Sequence, residues 1–263
     1  MGRPPRSGSS GKSRSGSSRP AETAAAHAIP GRHPVIEALK AKRPLRQILV
    51  EDLEGNDELF NLARDAKVPV QRATRDDLDL ASHGVLHQGV VAVAPPYQYV
   101  SLVQASQGDV VVVLDGVTDP QNLGAVIRSA EASGARGLVL PQRRSAHVTA
   151  TVEKAAAGAL SWLPIAVVPN ITRALDDLAT RGFWSVGLAG QGTTSLWDCQ
   201  LLTGKVAVVI GGEGRGLSRL VSERVDELVR IPMSGKAESL NASAAAAVTL
   251  FEIARQRSQK TDI

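Results

Sequence analysis

The sequence predicts an α/β protein of two units, the second built on a parallel sheet covered on both faces. Three observations carry that prediction. From residue 110 onward, unbroken apolar or β-branched runs recur at 110–114, 137–140, Ile165–Val168, Trp184–Leu188, 206–210 and 228–231. Strands buried on both faces read as continuous apolar runs, and here they alternate with helical stretches. Ahead of residue 97 a shorter alternation of the same kind ends at Pro95 and Pro96, which cannot donate to a sheet ladder.

In chain order, residues 1–28 are Ser, Gly, Arg and Pro with almost nothing to bury. Such a segment cannot offset its ordering entropy, so a disordered basic tail is expected. Its Arg3, Arg6, Lys12, Arg14 and Arg19 suit a loose electrostatic tether to RNA. A dispensable extension fits the composition equally well. Residues 29–97 then form a small α/β unit. Helices are predicted over 33–42, 57–67 and Arg75–Ala81, and strands over 47–53, 68–72 and 89–94. The polar stretch 98–109 reads as a linker, and 110–263 as the second unit. No internal repeat appears at a solenoid or propeller period.

Composition narrows the function. The chain has 263 residues, 43% hydrophobic and 21% charged, which is ordinary for a soluble globular protein. No run approaches the roughly 18 apolar residues that a membrane span needs. The first 20 residues lack the apolar stretch of a secretory signal. Cys199 is the sole cysteine, which excludes an internal disulfide and a cysteine-based zinc site and makes a cytoplasmic location the expectation. His83 and His87 have helical spacing, but Gly84 intervenes and no acidic ligand pattern joins them, so no metal is expected. The net charge of +4 favours a polyanionic partner. With aromatics at only 3%, contacts to RNA would run through Arg, Lys and backbone instead of stacked bases.

Three segments stand out, each directly after a strand, where doubly wound sheets bind ligands. The first is Asp115-Gly-Val-Thr-Asp-Pro-Gln-Asn-Leu-Gly-Ala-Val-Ile-Arg128. Asp119 is a natural helix cap and Pro120 an early helical residue, which puts Asn122 in the first turns. Arg128 either pairs with an acid or serves an anionic ligand, and spacing alone favours the structural role. The second is Gly211-Gly-Glu-Gly-Arg-Gly-Leu217. Its glycines alternate strictly, unlike a dinucleotide fingerprint, and no Gly-Lys-Ser/Thr follows. Glu213 inside the loop would repel a pyrophosphate and suits a ligand with hydroxyls or a positive centre. The third is Ile231-Pro-Met-Ser-Gly-Lys-Ala-Glu-Ser-Leu-Asn-Ala-Ser-Ala244, ahead of a helix over 241–257. Ser239 and Asn241 are good caps, yet with Ser243 they are more polar than one cap requires. The small residues 244–247 allow a close helix approach, to the sheet or to a partner subunit.

In this order and spacing, the three segments resemble the motifs of the SpoU (TrmH) branch of the SPOUT methyltransferases. The resemblance covers 110–257. The segments Gly31-Arg-His-Pro-Val-Ile-Glu-Ala-Leu39 and His87-Gln-Gly-Val-Val-Ala92 further resemble the family's L30e-like substrate-binding domain. The resemblance implies a trefoil-knotted methyltransferase domain, a homodimer with the knotted region at its interface, and S-adenosylmethionine as methyl donor. By position, Leu188, Gly190, Gly211, Ile231 and Leu240 would hold the donor. Asn122, Arg128, Glu213, Ser239 and Asn241 correspond to the catalytic positions, and RNA, not DNA, to the substrate. Arg128 is the residue that the family pattern assigns to activation of a ribose 2′-hydroxyl. A guanidinium stays protonated, so its action would be to lower the hydroxyl's effective pKa by charge and to orient a phosphate. Asn122 and Asn241 could position the ribose or Arg128, and Glu213 could fix its loop or pair with Arg128.

The member type most similar in the small domain methylates a guanosine in the peptidyl-transferase P loop of 23S rRNA. Rivals are a tRNA or other rRNA 2′-O-methyltransferase, including a resistance enzyme, and a non-catalytic RNA-binding assembly factor. A Rossmann dehydrogenase fails on the glycine pattern and on Glu213.

Overall fold

A computed structural model describes residues 26–55 and 57–261. The expected basic tail, apart from its last three residues, lies outside them. The small domain runs β1 (His27–Pro30), α1 (Arg32–Lys40), β2 (Gln47–Val50), α2 (Asp57–Asp65), β3 (Val70–Arg72), α3 (Arg75–Ala81) and β4 (Val90–Ala94). Its strand order is β1-β4-β2-β3, with β4 antiparallel to both neighbours and β2 parallel to β3. The expected helices and strands are present, several of them shorter. β1 is additional, and it takes His27 and Ala28 out of the tail by pairing them with Ala94 and Val93. Nothing local marks that strand, because the pairing closes over more than sixty intervening residues.

The stretch read as a linker is packed structure. It carries α4 (Leu102–Ala105), capped reciprocally by Ser101 and Gln104. Val100 N donates to Ile165 O at 2.9 Å. Helix α4 lies so close to the sheet that a Cβ on Gly137 would sit 1.8 Å from the Ala105 carbonyl oxygen.

The large domain continues with β5 (Val110–Asp115), α5 (Pro120–Ala132), β6 (Gly137–Pro141), α6 (Ala150–Ala156) and β7 (Ile165–Val168). Then follow α7 (Ile171–Ala179), β8 (Trp184–Leu188), β9 (Thr194–Ser195), β10 (Val206–Gly211), α8 (Arg219–Arg224), β11 (Glu227–Arg230) and α9 (Ala242–Thr261). The seven strands are parallel in the order β7-β6-β5-β10-β8-β11-β9. Burial on both faces, expected from the unbroken apolar runs, shows in β5. Val110, Val112 and Leu114 pack with Leu123, Ile127 and Leu250, while Val111 and Val113 pack with Leu175, Leu178 and Val221. Each fully buried side chain of this size contributes roughly 1.5–3 kcal/mol. The two-residue β9 is too short to leave a pattern in the sequence.

A buried ionic cluster docks the two domains. Glu153 on α6 is fully buried, and its carboxylate accepts from Arg43 Nη2 at 2.7 Å and from His27 Nε2 at 2.8 Å. Burial alone would push that carboxyl up, but the bonds and charges from His27 and Arg43 outweigh it and hold the group below its usual range. Around the cluster, Trp162 Nε1 donates to Glu37 Oε2 at 2.9 Å and Lys154 Nζ to Gln88 Oε1 at 2.8 Å.

Candidate active site

Strands β5 and β10 are neighbours in register, with Leu114 beside Ile210 and Asp115 beside Gly211. The first and second segments therefore leave the sheet together. They are then stitched to each other: Gly212 N donates to Asp115 O at 2.9 Å, and Ser218 N to Asp115 Oδ2 at 2.7 Å. Gly216 N returns to Gly212 O at 3.0 Å, closing the glycine loop on itself. Two glycines are there because nothing larger fits. A Cβ on Gly211 would lie 2.1 Å from the Gly216 carbonyl carbon, and one on Gly212 2.1 Å from Gly116 O.

Helix α5 starts as expected. Asp119 caps it, accepting from Gln121 N and Asn122 N, and Pro120 opens the first turn. This presents Asn122, which is buried, toward the glycine loop, where its Nδ2 donates to Glu213 Oε1 at 2.7 Å. Carboxylates only accept, so this bond orients the amide and leaves Asn122 Oδ1 facing the third segment. Asn241 Nδ2 reaches that oxygen at 3.5 Å. Asn241 Oδ1 meanwhile accepts from Ala244 N at 2.7 Å. Asn241 therefore caps α9 and joins the cluster at once. The three segments converge through Asn122, Glu213 and Asn241.

Arg128 is placed differently. It is exposed and has no acidic partner among the described residues, so the Glu213 carboxylate is bonded to Asn122 and not to Arg128. Six residues of helix carry it about 9 Å along α5 from Asn122 and about 120° around the axis. It sits on the outer ridge of the helix, outside the Asn122 cluster. Ser239 is exposed and borders the cavity described next.

That cavity, about 270 Å³, opens at the carboxyl edge of β8, β10 and β11. Leu188, Gly190, Gly211, Ile231 and Leu240 all line it, together with Glu213 and Ser239. Leu188, Ile210, Val229 and Ile231 give it an apolar floor, and its rim carries the carboxylates of Glu213 and Glu238 against one guanidinium, Arg215. Such a site suits a small molecule with a flat apolar part and a positive centre, and disfavours a polyphosphate. Gln191, Met233 and Glu238 also line the cavity and were not singled out in the sequence. Gln191 adjoins Gly190, Glu238 adjoins Ser239 and Met233 lies two residues after Ile231, which was the available signal.

The remaining candidates are structural. His87 is buried, with Nε2 3.0 Å from Asp79 Oδ1 and Nδ1 accepting from Gly89 N. Cys199 is buried and donates to Glu227 Oε2 at 3.4 Å, and burial pushes its thiol up to about 11. Among the described residues no group of three or more His, Cys, Asp or Glu could hold a metal ion.

Comparison with known proteins places this geometry. Residues 109–251 match the SpoU rRNA Methylase family, and residues 28–100 match the RNA 2′-O ribose methyltransferase substrate-binding family. A protein of Mycobacterium avium named as an uncharacterized tRNA/rRNA methyltransferase is 44% identical over 252 residues, covering 91% of this chain and 81% of its own. One of the same name from Mycobacterium marinum is 45% identical over 239 residues, covering 86% and 76%. Among solved structures, the SpoU methyltransferase AviRb from Streptomyces viridochromogenes in complex with AdoMet superposes with a TM-score of 0.76. It is 30% identical, over 88% of this chain and 90% of that one.

Proposed function

The chain belongs to the SpoU rRNA methylase family, and from that membership we propose that it transfers a methyl group from S-adenosylmethionine to a ribose 2′-hydroxyl of RNA. The observation that carries the reading is the convergence of Asn122, Glu213 and Asn241 at the lip of the Leu188–Gly190–Gly211–Ile231–Leu240 cavity. The residues fit the donor. The backbone of the glycine loop and of 188–191 can take up the adenosine, and the rim carboxylates favour a sulfonium over a phosphate. A Cβ on Gly190 would meet nothing within 4 Å, so the space beside it is open to a ligand. When bound, the donor supplies an electrophilic methyl group for in-line transfer.

The protein's own part is to place the ribose and make its hydroxyl easier to deprotonate. Asn122, held by Glu213, offers a fixed amide to the incoming ribose, with Asn241 behind it. Arg128 is free of acidic partners among the described residues, and its charge is available to RNA phosphate and to the developing alkoxide. Its place on the outer ridge of α5 matches a site completed at a homodimer interface. Helices α5 and α9 pack together, and the outward Phe251 on α9, 53% exposed, gives that face an apolar residue for a second copy to cover. The trefoil knot draws support from the return of α9 to β10 and α5 after β11, which lies two strands from β10.

For substrate, we read a guanosine in the peptidyl-transferase P loop of 23S rRNA, in a cytoplasmic setting. The relatives' names admit tRNA as the second reading. Nucleoside mass spectrometry and reverse-transcription mapping of treated 23S rRNA and tRNA decide between them. A 2′-O-methylguanosine in the P loop is expected. A methyl mark confined to tRNA overturns the substrate, and failure to bind S-adenosylmethionine by calorimetry overturns the enzyme.

A further inference from the structure

The loop between β6 and α6, residues 142–149, takes no part in the site described above, yet it joins that site to the small domain. In its middle Ala146 N donates to Val117 O at 2.9 Å, and Ser145 Oγ bonds the same carbonyl at 3.4 Å. Val117 lies in the turn that leads from β5 to Asn122. Two residues on, Val148 N donates to the Tyr99 hydroxyl at 2.9 Å. Ala150, the first residue of α6, packs with Ala28, Leu78 and Val91 of the small domain. The loop is thus tied to the turn after β5 and, two residues on, to Tyr99, and it leads into the helix that packs on the small domain.

Its tip carries Arg143 and Arg144, both exposed and without an acidic partner among the described residues. Two acids of the adjoining helices are occupied: Asp119 caps α5, and Glu153 is bonded to Arg43 and His27. Arg144 also holds a left-handed backbone, φ 59°. Of the six non-glycine residues with positive φ among the described residues, Lys42, Lys67, His83 and Ala157 close helices, where that conformation is routine, and Gln88 and Arg144 do not. Arg144 ends no helix. The conformation costs an ordinary residue about 1 kcal/mol, and here it is held between Gln142, whose N donates to Val168 O at 2.8 Å, and Ala146, tied to Val117.

We propose that Arg143 and Arg144 bind backbone phosphates of the substrate RNA where it crosses from the small domain to the Asn122 cluster. The inference rests on the RNA reading above. A pair of unneutralised guanidiniums on a rigid support positions a strand by phosphate contact without reading its bases. Neither side chain belongs to the donor cavity or to the Asn122 cluster, so loss of either should leave chemistry intact.

The test uses the full chain, with an in vitro 23S rRNA transcript as probe. Filter binding across a KCl series is compared for wild type, the Arg143→Gln/Arg144→Gln double variant, the single Arg143→Gln, and the double lysine variant. The double glutamine variant is expected to bind about tenfold more weakly. Its slope of log K against log salt should shrink by about 1.5, the single variant's by about half of that, and lysines should restore most of both. In methyl transfer, KM for RNA should rise while kcat and donor affinity stay at wild-type values. Unchanged affinity and salt slope would overturn the proposal, as would a fall in kcat with KM unchanged. Binding is read without turnover. A wild type that binds the transcript but methylates nothing refutes the enzymatic reading and still tests the loop, whereas a wild type that binds no RNA refutes both.

Discussion

The side-chain amide of Asn122 donates to Glu213 Oε1 at 2.7 Å across 91 residues of sequence. One end of this bond is held by the Asp119-capped start of α5, and the other by a loop whose glycines admit no side chain at Gly211 or Gly212. The orientation of the amide is a consequence of that pairing.

Asn122→Asp keeps the size but places a second carboxylate against Glu213. Like charges at this separation push the side chains apart. Misplacement by about 1 Å can cost a hundredfold in rate. Methyl transfer should fall by about that factor, with donor affinity near wild type. Steady-state kinetics with donor titration checks this, and a wild-type kcat would remove Asn122 from the chemistry.

Gly190→Ala and Gly211→Ala separate the cavity from the fold. The Gly190 Cβ meets no protein atom, so this variant should melt like wild type without ligand and lose donor affinity. The Gly211 Cβ collides with the backbone at Gly216, so this variant should lose both stability and donor affinity. Thermal melts with and without S-adenosylmethionine read the two apart. A Gly190→Ala variant that kept wild-type donor affinity would mean that the ligand does not pass beside Gly190.

Glu153→Gln removes the charge that pairs with Arg43 at the domain junction. Breaking a buried pair from one side costs about 3 kcal/mol, and urea unfolding at pH 7 should show it. The folded carboxyl titrates below its unfolded value of 4.5, so its stabilisation is complete above that value. It is lost as pH falls through the folded value. The gap between wild type and variant should therefore persist from pH 7 to 5 and close below about pH 4.5. A gap independent of pH would show that shape, not charge, docks the domains.

Cys199 should be inert in the native state. With its thiol buried and pushed up to about 11, labelling by iodoacetamide at pH 8 is expected to run about two orders of magnitude slower than for a free thiol. In urea the rates should converge. Fast native labelling would mean that the segment around Cys199 opens readily.

Much of this was readable in the sequence, for identifiable reasons. Apolar runs such as 110–114 report strands buried on both faces, and Asp119-Pro120 reports a helix start, because both are set by local chemistry. The cavity residues Leu188, Gly190, Gly211, Ile231 and Leu240 came from family resemblance and share one pocket. Contacts made across long stretches of chain left no local mark. Glu153 sits among small apolar residues, and its partners His27 and Arg43 lie 126 and 110 positions away. The pairing of β1 with β4 and the docking of the supposed linker by α4 are hidden in the same way. Arg128 was assigned by motif, and its place on an exposed ridge became apparent only from the helix geometry.

The most direct test is transfer of label from methyl-tritiated S-adenosylmethionine to a 23S rRNA transcript, with saturating RNA and donor, by wild type and by Arg128→Ala. The account predicts that wild type yields ribose-methylated nucleoside on digestion. It predicts that the variant binds donor normally and loses at least a hundredfold in kcat. Label on a base, or an Arg128→Ala variant that turns over like wild type, would contradict it.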